Sequence, residues 1–179
     1  RDGAFVLTNT NRLVRYYEGC NGLKTGSTAK AGYCVSATAK RGNMQLIAVV
    51  MGAESRDVRN AVARSLLDYG FGNYALYENA GAVLEKVPVY GGTSDLVTAM
   101  NRPFSAVIDK AAAGSVELTY EIPEHLCAPV TEGDAIGKIL YRIGDETIGE
   151  SEIYAAEGAE KITFGEIFLR LLKNILVGT

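Results

Sequence analysis

Two textures alternate along the chain. Residues 33–39 (Tyr-Cys-Val-Ser-Ala-Thr-Ala) switch between faces with period two, and residues 44–51 are a strongly apolar run. Lys40-Arg41-Gly42-Asn43 separates them, so the pair predicts an antiparallel hairpin whose second strand lies in the middle of a covered sheet. A shorter β-prone run at residues 4–8 precedes them and stops at Asn9-Thr10-Asn11. After Gly52 the period changes. Val58, Ala61, Val62, Leu66 and Tyr69 recur at three- and four-residue spacing behind Ser55, a helix-capping residue, and Gly70 stands where a helix commonly ends. Residues 1–75 therefore predict strand, strand, strand, helix: the tail of an α/β sheet with a helix packed on it.

From about residue 82 the runs shorten. Segments 83–90, 96–99, 104–108, 116–122, 136–143 and 147–154 are rich in Val, Ile, Leu, Thr and Tyr and are separated by glycine-, asparagine- and proline-containing turns. Short strands at such spacing predict a small all-β module, a sandwich or barrel, with the boundary near residues 79–83. The chain closes on a helix. Thr163 and Glu166 form a T-x-x-E capping box, and Phe164, Ile167, Phe168, Leu171, Leu172, Ile175 and Leu176 share one face opposite Glu166, Arg170, Lys173 and Asn174. Such a helix suits a membrane interface or its own domain equally well, and the pattern does not choose. The fold class expected is α+β: a sheet-and-helix part over 1–80, a β-rich, sandwich-like domain over 83–158, and an amphipathic helix over 160–179.

Composition removes several functions. Eighteen basic and twenty-one acidic residues give a net charge of −3, which excludes a generally basic nucleic-acid binder. With 47% hydrophobic and 22% charged residues the chain can bury a core, so it is not disordered. No run of ~18 apolar residues suggests a membrane span. Residue 1 begins no signal peptide, and Arg1-Asp2-Gly3 leads straight into apolar residues, which reads as an internal start. Three scattered cysteines (Cys20, Cys34, Cys127) make no disulfide framework. The one histidine, His125, sits in a turn-like stretch after Pro123; this excludes a His-rich metal site and argues against a Ser-His-Asp triad. Any chemistry here must run without imidazole.

One string carries chemistry: Gly22-Leu23-Lys24-Thr25-Gly26-Ser27-Thr28-Ala29-Lys30-Ala31-Gly32-Tyr33. It resembles the third active-site motif of the D-alanyl-D-alanine carboxypeptidases, the low-molecular-mass penicillin-binding proteins. The hairpin that follows, the Val50-Met51-Gly52 strand end, the helix to Tyr69-Gly70-Phe71 and the β-rich region match that family in order. The resemblance spans essentially the whole chain, and it implies a penicillin-binding, β-lactamase-like sheet domain for the first part.

It also implies roles. Enzymes of this serine acyl-transfer class use S-x-x-K, S-x-N and K-T-G. Lys24 would supply positive charge for a peptide's C-terminal carboxylate and for the proton network around the nucleophile. The Thr25 hydroxyl would hydrogen-bond that carboxylate, and Gly26 would let the substrate backbone approach the strand. The backbone N–H of Ser27 would be one of two oxyanion-hole donors. Thr28 would join the substrate-binding set. Arg59, which aligns with an arginine opening the next helix, would help hold the carboxylate; a solvated helix arginine is the equal alternative. No metal or organic cofactor is implied.

The departures matter as much. Among all serines the one S-x-x-K is Ser27 to Lys30, after K-T-G and in a loop, so it is a decoy, and no S-x-N occurs. The chain is expected to carry half an active site, with the missing N-terminal part of the catalytic domain in the same or a second chain. Cys20 and Cys34 flank the motif but read as structural thiols. Gly70-Phe71-Gly72 follows a helix instead of a strand and fails as a nucleotide loop.

The function expected through the resemblance is trimming the terminal D-alanine from peptidoglycan stem peptides by an acyl-serine route, with β-lactams trapping the intermediate. The partners expected are the stem peptide, β-lactams and, through the terminal helix, the outer face of the bacterial cytoplasmic membrane; nucleic acid is not among them. The alternatives are a non-catalytic β-module with a membrane-surface helix that binds a partner or cell wall, and a class A β-lactamase, which the long β-rich region after the motif helix disfavours.

Overall fold

The computed structural model describes residues 9–177. The strand expected at 4–8 lies outside the described residues. Contacts divide the chain into two compact units, one with residues up to Leu76 and Val107–Ala113, the other with Tyr77–Ala106 and Gly114 onward.

In the first unit a helical turn, α1 (Leu13–Tyr16), leads into three antiparallel strands, β1 (Cys20–Thr28), β2 (Gly32–Arg41) and β3 (Met44–Ala53), in spatial order β1-β2-β3. Helix α2 (Arg56–Asn73) follows. β2 and β3 are the hairpin that the alternation predicts. β1 gives no such signal, because only Cys20 and Gly22 in its nine residues are buried, Thr25 is half-buried and the rest are exposed. The expectation for β3 needs correcting. Among the described residues it is an edge strand, and Ile47, Val49 and Met51 stand exposed on one of its faces. β2 is the covered middle strand, with Val35, Ala37 and Ala39 buried.

Helix α2 starts as expected: the Ser55 hydroxyl accepts the Val58 N–H at 3.2 Å. Its buried face is not the expected one. Val58, Val62, Leu66 and Tyr69 are exposed, whereas Arg59, Asn60, Ala63, Leu67, Gly70 and Phe71 are buried. Both stripes keep helical spacing, so period alone could not choose. Close approach does: a side chain on Gly70 would lie 2.4 Å from Leu46 Cδ1, so this glycine sits under β3 instead of ending the helix, which runs on to Asn73. Gly70-Phe71-Gly72 is thus helix. Near its C-terminal end, Tyr17 donates to Asp68 at 2.7 Å, and Arg41 lies over the rings of Tyr17 and Phe71. Burial, then the Asp68 bond, pushes the Tyr17 hydroxyl up to about 12.

The chain continues through β4 (Tyr74–Asn79), β5 (Val83–Tyr90), β6 (Leu96–Asn101), β7 (Phe104–Asp109), a 3-10 turn (Lys110–Ala112), β8 (Val116–Glu121), β9 (Leu126–Cys127), β10 (Ala135–Ile143) and β11 (Glu146–Ala155). Six of these form one sheet, β8-β10-β11-β6-β5-β9, and β4 pairs with β7. The second unit centres on aromatic packing: Phe104 stacks on Tyr141 at 4.0 Å, with Tyr77 edge-on at 5.9 Å. Gly149 makes room, since a Cβ there would meet the Phe104 ring at 2.5 Å. His125 lies on the exposed Tyr90 ring, 4.7 Å away. The whole is a mixed α+β fold dominated by strands.

Helix α3 (Phe164–Val177) carries the capping box predicted for it: Glu166 Oε2 accepts from the Thr163 N–H at 2.7 Å and from its hydroxyl at 2.8 Å. All seven residues of its apolar face are exposed. Arg170 ties the helix to Asp95 (3.2 Å) and to the Thr93 carbonyl.

Adjacent leucines test the face of α2. Leu67 is 1% exposed and Leu66 47%. Leu67→Ala is expected to cost about 2–5 kcal/mol in denaturant unfolding and Leu66→Ala below about 1 kcal/mol; equal losses would mean the other stripe is inside.

Candidate active site

The K-T-G residues lie on β1, which among the described residues has β2 as its one neighbour. The register pairs Lys24 with Ser36, Thr25 with Val35, Gly26 with Cys34 and Ser27 with Tyr33. Lys24, Thr25, Gly26 and Ser27 line a cavity of about 830 Å³, and Arg59 reaches the same cavity from α2. A side chain added to Gly26 would meet nothing within 4 Å. Packing therefore does not require a glycine there, and the space it leaves open is free for a ligand's backbone.

Arg59 is 4% exposed. Its Nε and Nη2 donate to Asn60 Oδ1 at 3.1 and 3.0 Å, and Nη1 donates to the Cys34 carbonyl at 3.4 Å. Burial, followed by the charge of Arg56, holds its pKa below the ordinary arginine value. Among the described residues no carboxylate pairs with it; its partners are neutral oxygens. Lys24 Nζ donates to the Thr25 carbonyl at 2.6 Å.

Not every expected residue joins the cavity. Thr28 ends β1 outside it and accepts the Ala31 N–H at 2.9 Å, which makes it a turn residue in this structure. Ser27 also borders a second hollow with Lys30, in the turn between β1 and β2. Cys34 is half-buried and Cys20 buried, both as free thiols.

Several participants escaped the sequence reading. The Thr10 and Thr25 hydroxyls are hydrogen-bonded at 2.9 Å. Asn11, 1% exposed, donates to the Gly22 carbonyl at 3.0 Å and accepts the Leu13 N–H at 3.2 Å, and so locks the turn before α1 against the motif strand. Asn60 holds Arg59. Asn11 is two residues after Asn9, whose side chain accepts the Asn11 N–H; this asparagine-turn pattern was the available signal. Arg12, Arg15, Tyr16 and Arg56 complete the cavity wall.

An exposed edge strand with K-T-G, an unobstructed glycine and a buried arginine thus border one cavity. Known families match in that order along the chain. Residues 2–55 match the D-alanyl-D-alanine carboxypeptidase model and residues 71–161 the model for the C-terminal domain of penicillin-binding protein 5. The chain belongs to the D-alanyl-D-alanine carboxypeptidase family of low-molecular-mass penicillin-binding proteins. Within that family it is 35% identical over 168 residues to the D-alanyl-D-alanine carboxypeptidase DacF of Bacillus subtilis, covering 91% of this chain and 43% of DacF. It is 33% identical over 139 residues to DacA of Haemophilus influenzae, covering 74% of this chain and 35% of that protein. Penicillin-binding protein 5 from Haemophilus influenzae superposes with a TM-score of 0.71 at 28% identity, over 84% of this chain and 45% of that one. The chain thus spans less than half the length of these relatives.

Proposed function

We propose that this chain is the part of a serine D-Ala-D-Ala carboxypeptidase that grips the C-terminal end of the substrate. The observation that carries this is Arg59: a buried cation with no carboxylate partner among the described residues, lining the same cavity as the K-T-G strand. Lys24, Thr25 and Arg59 receive the terminal carboxylate, and charge-assisted bonds to arginine and lysine are the strong ones. The substrate backbone runs along β1 past Gly26. The Ser27 N–H stabilises the oxyanion as the acyl-serine forms and breaks down. The nucleophile and the S-x-N motif come from the part of the catalytic domain that the longer relatives contain, in the same chain or a second one. The substrate is a peptidoglycan stem peptide, and β-lactams acylate the same serine. Ser27-x-x-Lys30 is not the nucleophile, since it stands on the motif strand itself and in the turn after it.

We further propose that the protein works outside the cytoplasm, on the outer face of the cytoplasmic membrane, with α3 lying in the interface. Seven exposed apolar side chains support this, each worth about 1.5–3 kcal/mol when fully buried.

Two measurements test these readings. In the enzyme that joins this chain to its serine-bearing part, Thr25→Val should lower kcat/KM about ten- to a hundredfold, the value of one hydrogen bond to a charged group, with Tm nearly unchanged. Parallel losses of activity and Tm would make Thr25 a structural strand residue. For the helix, anionic vesicles should sediment the intact chain and leave behind a chain lacking residues 160–179; if both sediment, or neither, α3 does not anchor the protein.

A further inference from the structure

Helix α3 is clamped to the β-rich unit rather than hung from it on a loose linker. Between β11 and the capping box, the Ala156 N–H donates to the Thr98 carbonyl at 2.9 Å, and Glu157 Oε1 accepts the Thr98 N–H and hydroxyl at 3.0 and 2.8 Å. Ala159, 1% exposed, exchanges two backbone hydrogen bonds with Val130 at 2.8 and 2.9 Å. The next steps fasten to the turn between β5 and β6: the Thr93 N–H donates to the Glu160 carbonyl at 2.8 Å, and the Ile162 N–H to the Gly91 carbonyl at 2.9 Å. Further along the helix, Arg170 closes on the same turn through Asp95 and the Thr93 carbonyl. Arg170 belongs to the polar face of α3, so that face looks toward the turn, and the exposed apolar face points away from it. Wherever the apolar face is buried, the turn is carried along at a fixed distance.

The turn, Gly91-Gly92-Thr93-Ser94-Asp95, has no bulky side chain, and its one carboxylate is met by Arg170. Directly before it stands Tyr90, 62% exposed, with the exposed His125 ring 4.7 Å away and tilted by 37°. Pro88 and Leu96, paired across β5 and β6, are exposed on the same face of the sheet as Tyr90. Rings with an apolar body and a polar edge are the side chains that settle at the headgroup level of a membrane. We propose that Tyr90, His125 and the turn 91–95 form a second lipid contact, made with phospholipid headgroups beside α3. With the polar face of the helix turned toward it, this contact lies about 10 Å, one helix diameter, above the apolar face of α3. Two contacts joined by a clamp hold the β-rich unit on the surface in one orientation. The inference rests on α3 lying in the membrane interface.

The chain contains no tryptophan, so a single one reports its own surroundings. Three variants of the 179-residue chain serve: Tyr90→Trp, Phe168→Trp on α3, and Tyr120→Trp on β8, at the opposite edge of the sheet from β5 and β9. All three positions are exposed, so the fold tolerates the exchange. Each variant is bound to vesicles of phosphatidylcholine and phosphatidylglycerol that carry a nitroxide quencher either on the headgroup or midway along the acyl chain. The Tyr90→Trp chain should lose most of its emission to the headgroup nitroxide and little to the acyl one. The Phe168→Trp chain should be quenched by the acyl nitroxide, and the Tyr120→Trp chain by neither. If the Phe168→Trp chain is quenched and the Tyr90→Trp chain is not, α3 lies in the interface and the second contact does not exist. Equal quenching at positions 90 and 120 would mean that the unit has no single orientation, and would overturn the proposal. Emission of the Tyr90→Trp chain that changes with protein concentration in the absence of vesicles would overturn it too, by making the patch a contact between two copies. If the Phe168→Trp chain responds to neither quencher, the interfacial placement of α3 falls, and this inference with it.

Discussion

The guanidinium of Arg59 is held by protein oxygens instead of water, and the geometry of the site follows from that. A buried cation is costly unless its donors are met. Here they are met by Asn60 on the same helix and by the Cys34 carbonyl on β2. Cys34 is registered opposite Gly26. One residue of the middle strand therefore links the helix arginine to the motif strand, and a shift of α2 along the sheet would break that link. Ala63 and Gly70 let the helix come close enough for this, with Gly70 seated against Leu46. Small residues on the inner face of α2 are thus a requirement of the site as well as of the core.

The same arrangement sets the electrostatics. The hydrogen-bond partners of Arg59 among the described residues are neutral, so no carboxylate there offsets its charge. Arg56 adds to it one turn earlier on the helix, and Arg12, Arg15 and Lys24 from the other side. An anionic peptide end entering this cavity exchanges water for several charge-assisted donors. The hydroxyl pair of Thr10 and Thr25 shows that the motif strand is also tied to the segment before it, so the donors are positioned before any ligand arrives.

What the sequence made legible was mostly local chemistry. Ser55 as a cap, the Thr163–Glu166 box and the short strands of the β-rich unit each follow from a few neighbouring residues. The buried face of α2 did not, because Val58-Val62-Leu66-Tyr69 and Ala63-Leu67-Gly70-Phe71 share the same period and only the nearness of β3 decides between them. The apolar run of β3 likewise could not say how many of its faces are covered. β1 was readable through its resemblance to a known motif and not through alternation, since most of its side chains face outward. The cationic cavity was the least legible feature. Arg12, Arg15 and Arg56 look like ordinary solvated charges until the hairpin brings their segments together.

The central claim is that the β1 motif and Arg59 together hold a peptide's terminal carboxylate. It is tested most directly by nuclear magnetic resonance titration of the chain with N-acyl-D-Ala-D-Ala and with the same dipeptide as its C-terminal amide. The account predicts that the acid shifts the backbone amides of Lys24, Thr25, Gly26 and Ser27 and the Nε–H of Arg59, and that the amide leaves them nearly unmoved. Equal shifts with both ligands, or shifts confined to the β-rich unit, would contradict it.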